Sequence, residues 1–293
     1  MIKQRAHRLF ASRLGLILGL LALIVSQAPQ AASACSAQTP CQIEGGSYLA
    51  RTPEGWDGKS PLPVVMFLHG FDSSAQNVMD DQEMARDLSQ AHALLIAPQG
   101  TEGRPGKLGW SWPGRNVSRR DDVAFLDRVM VDVSQRFPVD AAHTLASGFS
   151  LGGSMIWYLA CQGHTKFTGY APIAGAFWVP EPETCPSGPQ NIRHIHGVSD
   201  ETVPMIGRIV GSPTQPSRQG IVMHGISTWQ RLNGCEINPP VVDVRGDQIC
   251  RVWKAKGCST QHEIVLCLHD EGHFYKGDWV RDAFQWMMGL KTT

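Results

Sequence analysis

Thr144-Leu145-Ala146-Ser147-Gly148-Phe149-Ser150-Leu151-Gly152-Gly153-Ser154-Met155-Ile156-Trp157-Tyr158-Leu159-Ala160-Cys161 is the stretch whose reading decides the fold. A short apolar run ends in G-x-S-x-G and passes at once into an apolar run of helical length, so the segment reads as strand, sharp turn and helix. Gly148 and Gly152 carry no side chain to collide where the backbone bends, and Gly153 lets the following helix pack closely. Ser150 then stands on the turn, at a helix N-terminus, where the backbone dipole favours developing negative charge.

Outward from this turn, strands are expected over 64–68, 93–97, 169–174, 191–196, 249–253 and 263–268, and helices over 80–90, 123–137, 221–232 and 278–290. Asp121 and Asp122 suit the start of the second helix, where Val123, Phe125, Leu126, Val129, Met130 and Val133 recur at spacings of three and four. Residues 207–220, rich in Gly, Pro, Ser and Arg, read as a surface loop. Strands alternating with helices imply a mostly parallel sheet covered on both faces, an α/β fold, and no linker or repeat divides residues 35–293 into more than one domain.

The N-terminus reads as an address. Residues 2–13 are basic, 14–25 are apolar, and Ala32-Ser33-Ala34 has the small residues of a signal-peptidase site, so residues 1–34 are expected to be a secretory signal peptide. The apolar run is too short for a membrane span, so no membrane attachment is expected after cleavage. Cys35 directly after the cut raises lipid modification, against which stands Ala32 where a lipid signal usually has Leu. The chain has 26 basic and 26 acidic residues. Lys3, Arg5, Arg8 and Arg13 all lie before the cut, which leaves the remainder mildly acidic and removes the case for a nucleic-acid partner.

All eight cysteines lie beyond residue 34, an even number that argues for disulfides in an exported chain. The expected pairs are Cys35 with Cys41 and Cys161 with Cys185, with the last four paired among themselves, as Cys235–Cys258 and Cys250–Cys267. No CxxC pair occurs and the histidines lack zinc-ligand spacing beside the cysteines, so no metal is expected.

A serine hydroxyl needs a histidine to take its proton and an acid to orient that histidine. On a strand-turn-helix nucleophile of this kind the acid and then the histidine follow in loops after later strands. Asp200 follows the strand over 191–196, and His273 follows the strand over 263–268. Ser150, Asp200 and His273 are therefore the expected catalytic set, with His269 and Asp270 as runners-up. His194 and His196 alternate on one strand like a metal pair, but no further ligand completes a set. The oxyanion that forms on attack needs donors already in place. The backbone N–H groups of Phe71, after His69-Gly70, and of Leu151 are the candidates. Trp110 and Trp112 face one side of an extended segment and would form an apolar substrate wall, or else pack in the core; Trp178 is a further candidate for substrate binding. Asn116-Val117-Ser118 matches a glycosylation acceptor.

With these residues in view, the chain resembles the secreted α/β-hydrolase esterase family that groups polyhydroxybutyrate depolymerases with feruloyl and acetylxylan esterases. The resemblance rests on Val65-Met66-Phe67-Leu68-His69-Gly70, Trp110 and Trp112, Asp121-Asp122-Val123-Ala124-Phe125-Leu126, Gly148 to Gly153, His196-Gly197-Val198-Ser199-Asp200 with Val203-Pro204, and Gly272-His273-Phe274. It covers about residues 45–290. It implies an α/β-hydrolase fold, Ser150 as nucleophile, Asp200 as acid, His273 as base, and no cofactor. It also implies an ester substrate, either a hydroxyalkanoate oligomer or an acylated saccharide, with polyhydroxybutyrate depolymerase-like activity first and feruloyl or acetylxylan ester hydrolysis as the alternative. The chain departs from the family in Leu151, where many members have Asn, and in Phe274, where many have Trp. A reading from another class is a non-catalytic carbohydrate- or lipid-binding module on the same fold.

Overall fold

The computed structural model describes residues 35–114, 120–165, 167–235, 241–254 and 257–290. The expected signal peptide and the Asn116-Val117-Ser118 acceptor lie outside the described residues. Strands β1 (Cys41–Ile43), β2 (Gly46–Arg51), β3 (Leu62–Leu68) and β4 (Leu94–Pro98) are followed by a hairpin of β5 (Thr101–Arg104) and β6 (Lys107–Gly109). Next come β7 (Val139–Phe149), β8 (Gly169–Ile173), β9 (Trp178–Val179) and β10 (Ile192–Gly197), then a second hairpin of β11 (Ile209–Ser212) and β12 (Gln215–Gln219). The last strands are β13 (Val241–Arg245), β14 (Gln248–Trp253) and β15 (Ile264–His269). The helices are α1 (Ala75–Met79), α2 (Gln82–Gln90), α3 (Asp122–Arg136), α4 (Leu151–Gln162), α5 (Val222–Leu232) and α6 (Gly277–Met288).

The main sheet has the order β1-β2-β4-β3-β7-β8-β10-β15-β14-β13. Its centre, from β4 to β15, is parallel throughout, and antiparallel strands flank it on both sides. Buried on both faces, these central strands are near-continuous apolar runs, as parallel strands must be. Their alternation splits the core in two. On β3, Val64, Met66 and Leu68 face α3, α4 and α5, whereas Val65 and Phe67 face α1, α2 and α6. Helix α4 is apolar all round because the sheet, α3 and the chain around Trp178 enclose it. The described residues pack as one compact unit, and none of their helices is long and apolar enough to cross a membrane.

Three expectations need correction. The expected helix over 80–90 starts two residues later, at Gln82, because Asp81 turns out of helical geometry and caps α2 with its side chain on the Met84 N–H; the short helix α1 is a separate element before it. The loop over 207–220 contains the β11–β12 hairpin, whose strands lack an apolar face and so carry no period-two signal. Asp122 is more than a dipole residue: it is fully buried, accepts the Ser111 N–H at 2.6 Å and pairs with Arg120, which in turn donates to Gln99 O at 3.0 Å and Gly45 O at 3.1 Å.

The disulfides are Cys35–Cys41, Cys161–Cys185, Cys235–Cys258 and Cys250–Cys267. A bonded Cys35 has no thiol to accept a lipid. Cys250 and Cys267 are cross-strand partners on β14 and β15 and close a loop of 17 residues. Without that link the unfolded chain gains loop entropy, so the Cys250→Ala/Cys267→Ala double variant should lose about 2–4 kcal/mol in a urea titration. An unchanged midpoint would show that the pair contributes nothing to stability.

Candidate active site

Ser150 sits between β7 and α4 at φ 57° and ψ −118°. That is a left-handed backbone conformation that a non-glycine residue adopts only under constraint from its surroundings. The constraint is visible at Gly152: a Cβ there would stand 2.2 Å from Leu68 O, so only glycine lets the first turn of α4 press against the end of β3. The tight turn lifts the Ser150 hydroxyl above the C-terminal edge of the sheet.

The loops after β10 and β15 meet it there. Ser150 Oγ lies 2.8 Å from His273 Nε2, and His273 Nδ1 lies 2.6 Å from Asp200 Oδ2. The other Asp200 oxygen accepts the N–H groups of Thr202 and Val203, both at 2.8 Å. Burial pushes the Asp200 carboxyl up, but the hydrogen bonds from His273 and Val203, with the nearby His273 and His196 rings, outweigh it and hold the group below its ordinary range. The His273 ring is braced by Phe149, with centroids 4.7 Å apart, and Phe149 packs in turn on Tyr275. Such a chain lets a hydroxyl pass its proton to an imidazole whose orientation the carboxylate fixes.

The runners-up fall elsewhere. Among the described residues Asp270 is met through its backbone carbonyl, by Ser199, and His269 packs between Phe274 and Trp279. Phe274 thus lies against His269 and Trp279 rather than lining either cavity described below.

His69 has a defined role in the loop beside Ser150. Burial is the main pull on its pKa, down to about 4 against the bond to Gly70, so the ring is neutral. The Gly100 N–H donates to Nε2 at 3.0 Å, which places the ring proton on Nδ1, and that proton is donated to Gly70 O at 2.8 Å. A trans peptide points its N–H opposite to its C=O, so pinning Gly70 O aims the Phe71 N–H the other way. Neither the Phe71 nor the Leu151 N–H has a backbone partner among the described residues. Gly100 must be glycine, since a Cβ would stand 2.9 Å from the His69 ring.

Trp110 explains how His69 is held, and corrects the expectation of a tryptophan wall. It is 0 % exposed, and its Nε1 donates to His69 O at 2.8 Å. Trp112, 2 % exposed, stacks on Tyr158 with centroids 4.7 Å apart. Both belong to the core because the segment turns inward under the Asp122–Ser111 bond. Trp178 does face a cavity, with its Nε1 on Ser154 Oγ at 3.3 Å.

Two cavities meet at Ser150. The larger, about 1130 Å³, runs between the two hairpins and is walled by Leu151, Trp178, Val203, Arg208 and Gln219. The smaller, about 410 Å³, lies on the other side and is walled by Phe67, Phe149, Tyr275, Ser73 and Asn77. Phe71 and Thr202 border both. The aromatic lining of the smaller cavity was not foreseen. Its signal was the cluster of aromatic residues next to catalytic candidates, Phe149 before Ser150 and Tyr275 after His273.

A sheet of this order with a strand-turn-helix after its central strand is an α/β-hydrolase fold. No family model matches the chain. It is 29 % identical over 239 residues to feruloyl esterase C of Emericella nidulans, covering 79 % of this chain and 77 % of that one. It is 26 % identical over 293 residues to feruloyl esterase D of Neurospora crassa, covering 91 % and 90 %. Among solved structures, pOPH superposes with a TM-score of 0.56 at 14 % identity over 91 % of this chain and 90 % of that one. The acetyl xylan esterase of Aspergillus awamori superposes with 0.55 at 11 % identity over 83 % and 94 %. The chain is a carboxylic ester hydrolase, and these likenesses support the α/β-hydrolase esterase family that its motifs resemble.

Two outcomes follow. Replacing His69 by Ala unpins the Gly70–Phe71 peptide and should lower kcat by about 10- to 100-fold with little change in KM, less than loss of a donor outright; an unaltered kcat on a model ester would remove His69 from the site. Because Asp200 is held below its unfolded value, its contribution to stability is complete above that value, about 3.9, and is lost as pH falls through the folded one. The stability gap between wild type and Asp200→Asn should therefore narrow below about pH 4 in urea titrations.

Proposed function

We propose that the protein is an exported serine esterase in which Ser150 Oγ attacks the ester carbonyl carbon and gives its proton to His273 Nε2. His273 returns that proton to the leaving alkoxide as the carbonyl–oxygen bond breaks, and Asp200 holds the imidazole in register. The Phe71 and Leu151 N–H groups meet the oxyanion, and water then releases the acid through the same residues. The observation that carries this reading is the unbroken hydrogen-bond chain from Ser150 through His273 to Asp200. Residues 35–293 form the catalytic domain in this reading and residues 1–34 direct export, which four disulfides favour.

Among the ester classes, we infer an aromatic acid joined to a saccharide. The relatives named feruloyl esterase support this, as does the asymmetry at Ser150 between a small aromatic cavity and a larger, more polar cleft. The aromatic acyl group fits the Phe67, Phe149 and Tyr275 side, and the sugar fits the cleft between the hairpins.

A fluorophosphonate should label the protein at Ser150 alone, and Ser150→Ala should lose at least about a thousandfold in kcat/KM. Absence of labelling would favour a non-catalytic binding module. On a panel of feruloylated sugar, acetylated sugar and hydroxybutyrate oligomer, the feruloylated sugar should show the highest kcat/KM. A preference of about tenfold or more for the oligomer would overturn the substrate assignment and leave the serine mechanism standing.

A further inference from the structure

Behind Asp200, away from Ser150, lie two histidines that the proposed mechanism does not use. His194 and His196, neighbours on one face of β10, are both 0 % exposed. His194 Nδ1 is 3.0 Å from Pro172 O, His194 Nε2 is 2.9 Å from His196 Nδ1, and His196 Nε2 is 2.7 Å from Val203 O. The two ends of this chain are carbonyl oxygens, which only accept.

Counting protons along the chain gives an imbalance. Each of the three contacts needs one N–H, so the four ring nitrogens must carry three protons. Two neutral imidazoles carry two. With only two, either both nitrogens of the central contact are bare, or a bare nitrogen faces a carbonyl at one end, and each alternative sets lone pair against lone pair in a dry site. Burial lowers the proton affinity of each ring taken singly, so the third proton requires a counter-charge. One is present: Asp200 Oδ2 lies 3.7 Å from His196 Nε2, and both side chains are fully buried. The Val203 backbone ties the two together, its N–H on Asp200 and its C=O on His196.

We propose that His194 and His196 hold three protons between them and form a buried cation set against the Asp200 carboxylate, acting as positioning residues that limit how readily His273 becomes protonated. The inference rests on the proposed role of His273 as base. The titratable groups facing the pair are Asp200 from the loop after β10, and His269 and His273 from β15 and the loop beyond it. On the α4 side it meets Trp157, which carries no charge. A fixed positive charge next to Asp200 offsets part of the field that would hold a second proton on His273. The base therefore stays free, and active, to lower pH.

Two variants separate charge from packing. In His194→Phe the ring still packs on Trp157, but His196 needs only its Nε2 proton and the pair is neutral. In His194→Gln the amide N–H donates to Pro172 O and the amide oxygen accepts from His196 Nδ1, so His196 keeps both protons and the charge. The acid limb of the kcat/KM profile should move up by about one pH unit in His194→Phe and stay near wild type in His194→Gln. Equal limbs in wild type and His194→Phe would overturn the proposal.

The wild-type enzyme supplies a second measurement should either variant fail to fold. Nitrogen-15 NMR of histidine-labelled protein at neutral pH should show three protonated nitrogens and one bare nitrogen across His194 and His196. Two bare nitrogens would end the proposal. Fluorophosphonate labelling of Ser150 in the same sample keeps the two readings apart: labelling with a neutral pair discards this inference alone, whereas a failure to label discards the serine mechanism.

Discussion

The structure is organised around one backbone constraint, the left-handed conformation of Ser150 in the turn from β7 into α4. That geometry persists only because the surroundings leave no alternative. Gly152 brings α4 into contact with the end of β3, and the Ser150 N–H is bound by Ile173 O at the end of β8. Three adjacent parallel strands thus fix one side chain. Because neighbouring crossover strands in such a sheet all end at the same edge, the loops after β10 and β15 reach that side chain without long excursions.

Around this turn the polar groups are buried in relays rather than singly. Arg120, Asp122 and the Ser111 N–H hold the segment that brings Trp110 under His69, and His69 orients the Gly70–Phe71 peptide. On the other side Asp200 is held by two backbone N–H groups, by His273 and by the field of His196. Each relay runs through buried groups, where electrostatic interactions are stronger than in water. Residues remote in sequence and absent from the cavities, Trp110 above all, therefore bear on the site through the groups they hold.

In the proposed mechanism the sheet edge supplies the chemistry and its surroundings supply the shape. The β5–β6 and β11–β12 hairpins stand outside the main sheet and wall the larger cleft, while aromatic residues from β3, β7 and the loop after β15 line the smaller one. In that reading this division separates what the fold shares from what selects a substrate, since hairpins and side-chain lining can vary without moving the Ser150 turn.

The local signals in the chain were sufficient for the alternating strands and helices, the strand-turn-helix around Ser150, and the residues Asp200 and His273 as candidates. These depend on periodicity, on glycine at a crowded bend, and on chain order, all of which are written in consecutive residues. The β11–β12 hairpin and the burial of Trp110 and Trp112 were decided by tertiary structure. A two-residue spacing of tryptophans is the same whether the segment faces solvent or turns inward, and contacts made in the folded protein, among them Ser111 with Asp122, Trp110 with His69 and Trp112 with Tyr158, make the choice. Likewise His194 and His196 are an alternating pair in sequence, and it is the carbonyls of Pro172 and Val203, brought from other parts of the chain, that set their proton count.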